Sequence, residues 1–182
     1  RTASATTDAP GLSITYDSTT PAVCTVNSGT GAITYIAAGT CTVTADQAGN
    51  ATYSAASTQS RSFAVSKVAQ TITVGAISDA AMLQTRSASA STDAPGLSIS
   101  YTTGTPLVCS VDSDGSITYV AAGTCTIHTD QAGNATYAAA NRVSRSFVVS
   151  QIAQSITFDS LADATMLQIR TAAASTDAPG LD

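Results

Sequence analysis

The sequence has no glutamate, no tryptophan, a single lysine (Lys67) and a single histidine (His128). Each shortage excludes something. Seven cations among 182 residues do not make the basic face that a nucleic-acid binder needs. A coiled coil or helical bundle draws on Glu, Lys and Leu, which are absent or scarce here. No run of about 20 apolar residues exists, so no helical membrane span is expected. A disordered chain would carry fewer apolar residues and more charge than the 43% and 10% found. What is abundant is small: Ala, Ser and Thr make up 88 of the 182 residues, and the net charge is −5. These residues suit a soluble β-rich protein.

Internal repetition organises the chain. The hexapeptide Thr7-Asp8-Ala9-Pro10-Gly11-Leu12 recurs at Thr92 to Leu97 and at Thr176 to Leu181. Asp8 and Asp93 lie 85 residues apart, and Asp93 and Asp177 lie 84 apart. Asp46 to Tyr53 returns unchanged at Asp130 to Tyr137. The one-residue length change falls between Val26 and Ile33, where a Gly-rich stretch predicts a surface hairpin tip. The period is too long for a solenoid repeat and suits one small domain.

Within each unit the apolar residues alternate. Leu97, Ile99 and Tyr101 share one side of a run. Ile117 to Val120, Thr124 to Ile127, Arg145 to Val149 and Gln70 to Val74 behave in the same way. Alternation with β-branched residues, bounded by Gly, Pro, Asn and Asp, predicts half-buried antiparallel strands. Roughly seven strands in about 85 residues predict a β-sandwich. The Ala-rich Tyr137-Ala138-Ala139-Ala140 is expected to cross between edges as a loop. Phe147 to Ser150 reads as a closing strand and Ile152 to Phe158 as an opening one. The expected domains are therefore 1–66, lacking its first strand, then a complete 67–150, then the start of another at 151–182. With Arg1 first and no signal peptide, the chain is expected to be a piece of something longer.

The motif string is specific enough to carry a resemblance. It runs Thr105-Pro106-Leu107-Val108-Cys109-Ser110-Val111, then Gly115 to Ile127, then Gln131-Ala132-Gly133-Asn134-Ala135-Thr136-Tyr137; the first unit repeats it from Thr20 to Tyr53. These residues resemble bacterial immunoglobulin-like tandem repeat domains of large secreted and cell-surface proteins. The resemblance covers nearly the whole chain. It implies an all-β fold of tandem immunoglobulin-like β-sandwich domains in a linear array. It implies little about function, because such domains serve as stalks, spacers, fibre subunits and enzyme accessory modules.

The four cysteines fall two per unit, and each shares a strand face with core residues: Cys24 with Val26, Cys41 with Val43. Four cysteines permit three connectivities. The repeat favours Cys24–Cys41 and Cys109–Cys125, closing loops of 17 and 16 residues. A loop of that size restricts the unfolded chain by roughly 3 kcal/mol. Buried free thiols are the alternative. Disulfides would place the chain outside the cytoplasm, secreted or on the cell surface. No Cys-x-x-Cys with a nearby His supports zinc, and no metal or cofactor is expected.

Catalysis needs a positioned constellation, and none is legible. His128 is matched by Thr44 in the first unit, and a solvent-facing strand residue is the simpler reading. Abundant Ser and Thr do not make a nucleophile without a base in reach. Asp112-Ser113-Asp114-Gly115 opens like a calcium loop, but the later Glu is missing, so a hairpin turn is expected. Asp46 and Asp130 are expected to cap the Gln-Ala-Gly-Asn turns that follow them. Asp8, Asp93 and Asp177 read as turn-formers. Lys67 is replaced by Gln151 one period on, so a repeating Lys–Asn cross-link is excluded. Tyr16 and Tyr101 alternate in phase with core residues; Tyr53 and Tyr137 are expected to anchor loops.

The expected function is a structural segment of a long extracellular bacterial fibre, stalk or adhesin shaft, not an enzyme. The alternative is an adhesion or carbohydrate-binding module. The expected partners are other copies of the same repeat, end to end. Residues 151–182 could supply what residues 1–66 lack, as in β-strand addition; a continuous polypeptide of many units is the alternative. The low charge also favours side-by-side bundling.

Overall fold

The computed structural model describes residues 1–177. The last part of the third Thr-Asp-Ala-Pro-Gly-Leu copy, and with it the end of the 151–182 segment, lies outside the described residues. The described residues are all-β and contain no helix. The first repeat contributes β1 (Thr15–Ser18), β2 (Cys24–Val26), β3 (Ile33–Tyr35), β4 (Gly39–Asp46) and β5 (Gln59–Val65). The next stretch holds four short strands, β6 (Ile72–Val74), β7 (Ala80–Ala81), β8 (Arg86–Ser87) and β9 (Ala90–Thr92). Then follow β10 (Ser100–Thr103), β11 (Cys109–Val111), β12 (Ser116–Tyr119), β13 (Gly123–Asp130) and β14 (Val143–Ser150). The last pair is β15 (Ile156–Phe158) and β16 (Ala174–Thr176).

By packing, the chain divides into two compact units that cut across the sequence period. One gathers Arg1–Val74, Ala90–Ser100 and Thr129–Val143; the other gathers Gly75–Ser89, Tyr101–His128 and the residues from Ser144 onward. In the first unit, β1, β4 and β5 form an antiparallel sheet in the order β1-β4-β5. The hairpin β2-β3 faces it, and β6 pairs with β9 in a separate ribbon. In the second, the sheet β10-β13-β14-β7 lies opposite β11-β12-β8. Both repeats thus build an immunoglobulin-like sandwich from two β-layers.

Alternation sets the core. Along β13, Cys125 and Ile127 point inward while Thr124 faces water; β4 does the same with Cys41 and Val43. The second-repeat core joins Ala88, Cys109, Ile117, Cys125, Ile127, Phe147 and Val149. The first-repeat core contains Cys24, Cys41 and Val43, with Tyr16, Ile33, Phe63 and Val65 only half-buried around it.

The length change between repeats sits at the β2–β3 and β11–β12 hairpin tips. Gly31 and Gly115 hold φ of 71° and 89°, and a Cβ there would strike the carbonyl of Ala3 or Ala88. Those same neighbours tie the tip down: Ala3 N–H donates to Gly31 O and Ala88 N–H to Gly115 O, both at 2.8 Å. Only glycine meets the left-handed φ and the close approach together.

Residues 67–150 carry nine strands rather than roughly seven. Residues 75–92 carry three short strands that alternation does not reveal, because Ala80–Ala81 and Arg86–Ser87 are too short to show a period. The Ala-rich stretch from Tyr137 does run as a loop, and Tyr137 forms an isolated parallel bridge with Val68.

Candidate functional site

Two disulfides join facing β-layers. Cys24 of β2 is bonded to Cys41 of β4, and Cys109 of β11 to Cys125 of β13, each with Cα atoms 5.7 Å apart. All four cysteines are fully buried. Hydroxyls line them: Thr103 and Thr105 each approach Cys109 Sγ at 3.6 Å, and Thr105 Oγ1 also accepts the Thr126 N–H at 2.9 Å.

A second device is a buried glutamine clamp. Gln70, just before β6, donates from Nε2 to Gln131 Oε1 and, at 2.6 Å, to Ala138 O. Its own Oε1 accepts the Thr92 hydroxyl at 2.8 Å. Gln131 Oε1 also accepts Gly133 N–H, while Asn134 Oδ1 accepts Thr136 and Tyr137 N–H, both at 2.8 Å. These amides, not the aspartates, cap the Gln-Ala-Gly-Asn turns. Asp130 instead pairs with Arg142 at 2.9 Å and 3.0 Å, and Asp46 accepts the Thr58 hydroxyl. Asp93 and Asp177 are likewise more than turn-formers. Asp93 accepts the Thr71 N–H at 2.8 Å and the Thr71 hydroxyl at 2.9 Å; Asp177 holds Ser155 in the same way at 2.7 Å. The backbone bond first, then the hydroxyl bond, holds each carboxyl below its ordinary range. Sequence reasoning missed these clamps because their partners lie 22 residues away. The available signal was recurrence of Gln70-Thr71 as Gln154-Ser155.

The remaining polar candidates do ordinary work. His128 Nδ1 shares a hydrogen bond with Ser144 Oγ at 2.7 Å on the exposed face, and no carboxylate among the described residues orients the ring. Asp114 accepts Ser116 N–H and hydroxyl, both at 3.0 Å, closing the hairpin turn. Lys67 donates to Asn134 O at 2.7 Å. Among the described residues no group of three or more acidic, His or Cys side chains could hold a metal ion.

Among the described residues, the first repeat carries two open grooves. One groove, of about 460 Å³, is lined by Ala3, Tyr16, Ile33, Val43 and Phe63, with Arg1 at its mouth. The Arg1 guanidinium lies 4.8 Å from the Phe63 ring centre. These five match Ala88, Tyr101, Ile117, Ile127 and Phe147, which in the second repeat form or pack against a closed core. A neighbouring groove of about 480 Å³ shares Ala5, Ala45 and Gln59 with the first and adds Thr7, Asp8 and Gln47. Asp8 and Gln47 are the counterparts of Asp93 and Gln131. The first repeat thus presents an apolar recess beside Asp8 and Gln47, whose counterparts Asp93 and Gln131 hold Thr71 and Gln70.

No family model and no curated protein matches the chain. Among solved structures, it is similar to the surface layer protein SbsC, domains 1-6, at 19% identity and a TM-score of 0.39, spanning 79% of this chain and 21% of that one. It is similar to human Protocadherin-24 EC1-2 at 16% identity and a TM-score of 0.36, spanning 79% of this chain and 84% of that one. The C-terminal 282-residue fragment of intimin, in complex with the Tir intimin-binding domain, gives 18% identity and a TM-score of 0.30 over 81% of this chain and 54% of that one. The chain spans about a fifth of the SbsC fragment. Likeness at this level carries no functional assignment.

Proposed function

We propose that the chain is a structural segment of a long extracellular bacterial fibre, stalk or adhesin shaft, built from tandem disulfide-stapled immunoglobulin-like units with sequence boundaries near 66 and 150. One observation carries the reading: the same inter-layer disulfide and the same Gln-Gly-Asn turn capping are made twice, at Cys24–Cys41 with Gln47 and Asn50, and at Cys109–Cys125 with Gln131 and Asn134. Repetition of the scaffold, with no repeated reactive group, is what a length-giving element requires. Disulfide staples suit an oxidising compartment.

A binding module would need a shared recognition surface, such as exposed aromatics. Tyr35 and Tyr53 are exposed at 47% and 42%, but their counterparts Tyr119 and Tyr137 are half-buried, so that surface is not repeated.

The test is localisation on intact producing cells. Antibody against the chain is expected to label the cell surface or shed filaments, and alkylation before reduction is expected to leave all four cysteines unmodified. A chain found in the cytoplasm with reactive thiols would overturn the reading.

A further inference from the structure

We propose that Asn50 and Asn134 are acceptors for N-linked glycan, one on each repeat. Each opens an Asn-Ala-Thr triplet, Asn50-Ala51-Thr52 and Asn134-Ala135-Thr136, the pattern in which an asparagine side chain is glycosylated. The chain has four asparagines, and the other two, Asn27 and Asn141, have neither Ser nor Thr two residues on. Both triplets lie in the connection between the two longest strands of their repeat, β4 to β5 and β13 to β14. All three residues of each triplet are exposed.

The turn explains each asparagine but not the threonine that follows it. Asn134 Oδ1 accepts Thr136 and Tyr137 N–H, and Asn50 Oδ1 accepts Thr52 N–H at 2.8 Å and Tyr53 N–H at 2.9 Å. Such a turn uses only the backbone N–H of the residue two positions on, whatever its side chain. Asn27 makes the point within the same chain: its Oδ1 accepts the N–H of Gly29 at 3.2 Å and of Thr30 at 2.9 Å, with glycine in that position. The hydroxyls of Thr52 and Thr136 hydrogen-bond to nothing among the described residues. Both repeats thus carry a hydroxyl that the fold does not use, at the one place where glycosylation requires it.

The carboxamide is also presented in a usable way. Two backbone donors hold Oδ1 in each repeat, which fixes the side chain. The other end, Nδ2, donates to nothing among the described residues, so both of its hydrogens are free. In the transfer, Nδ2 attacks C1 of a sugar carried on a polyprenyl diphosphate. The Nδ2–C1 bond forms, the C1–O bond to the diphosphate breaks, Nδ2 gives up one proton, and the polyprenyl diphosphate leaves. Oδ1 remains a carbonyl oxygen in the product, so the capping bonds of the turn survive the addition. One glycan per repeat would coat the chain at a fixed interval.

The proposal rests on the extracellular part of the shaft reading, because glycosylation of this kind belongs to exported proteins. Chain recovered from the surface of producing cells is expected to give peptides around Asn50 and Asn134 that both carry a sugar mass, placed on the asparagine by fragmentation. Thr52→Val and Thr136→Val are each expected to remove the sugar from the neighbouring asparagine and leave the other modified. Thr136→Ser is expected to keep it. The amides of residues 136 and 137 are expected to stay protected in Thr136→Val, so that loss of the sugar is not loss of the turn. Bare Asn50 and Asn134 on surface-borne chain, or a sugar that persists in either valine variant, overturns the proposal. Bare asparagines at the surface leave the shaft reading standing, whereas a cytoplasmic chain with reactive thiols removes both, so the two failures are distinguishable.

Discussion

The two repeats share strand order, staple and turn capping, yet one core is closed and the other is open. In the second repeat Phe147 and Val149 are buried at 3% and 1%. Their counterparts Phe63 and Val65 are half-buried, and Phe63 lines the recess. The chemistry of the side chains is the same, so the difference lies in one covering segment. Strands β1 to β5 and their disulfide therefore define the layers, but the stretch corresponding to residues 70–85 excludes water from between them.

Truncating the aromatic anchor is the strongest way to break this comparison. Phe147→Ala is expected to cost about 4 kcal/mol, because it leaves a cavity in a closed core. Phe63→Ala is expected to cost about half as much, because water already reaches its ring. Denaturant titration followed by amide exchange in β13 and β4 separates the two. Equal losses would mean that the recess is closed in solution.

Removing the staples comes next. Each closes a loop of 16 or 17 residues, which gives roughly 3 kcal/mol by restricting the unfolded chain. On reduction, β4 amides are expected to lose protection entirely, while β13 amides stay protected with a lowered melting temperature. If both repeats lose protection together, the cover does not stabilise the second repeat.

The glutamine clamp sharpens the same point with a smaller effect. Gln70→Met leaves Gln131 buried without one of its partners and is expected to cost about 2 kcal/mol. Gln47→Met is expected to cost about 1 kcal/mol, since among the described residues the Gln47 side chain bonds its own turn, through Gly49 N–H at 3.0 Å. A thermal melt of both variants checks the ratio, and a reversed order would remove the clamp from the account.

Legibility followed distance along the chain. The alternating runs of β13 and β14 were readable because burial on one face writes a period of two into the sequence. The cysteine pairs were readable because the repeat removed the cross-unit alternatives and alternation placed each cysteine inward. Strand β7 was not readable: two alanines have no pattern, and their strand character comes from lying beside Val149. The aspartates were only partly readable for a related reason. Asp93 before Ala-Pro-Gly does look like a turn residue, and its partner Thr71 becomes visible only once β6 and β9 are paired. The recess was half legible. The period shows that residues 1–66 contain no counterpart of residues 70–85, but the sequence could not say that Phe63 would stand at an open rim.

The smallest expected effect is acid sensitivity of that clamp. Asp93 accepts two hydrogen bonds from Thr71, which favour its charged form and lower its folded-state pKa below the unfolded value of about 4. A carboxyl depressed on folding contributes stability above the unfolded pKa and loses it as pH falls through the folded one. The loss therefore lies on the acid side of pH 4 or so, and solvent exposure at the site keeps it small. Exchange at the Thr71 amide is expected to accelerate across that window in the native chain. Asp93→Asn should make the exchange fast and independent of carboxyl titration, and Thr71→Val should remove only the hydroxyl share and shift the window upward. An unchanged profile in Asp93→Asn would show that β6 is held by its pairing with β9 alone. The clamp would then be a consequence of the covering segment being seated rather than part of what seats it.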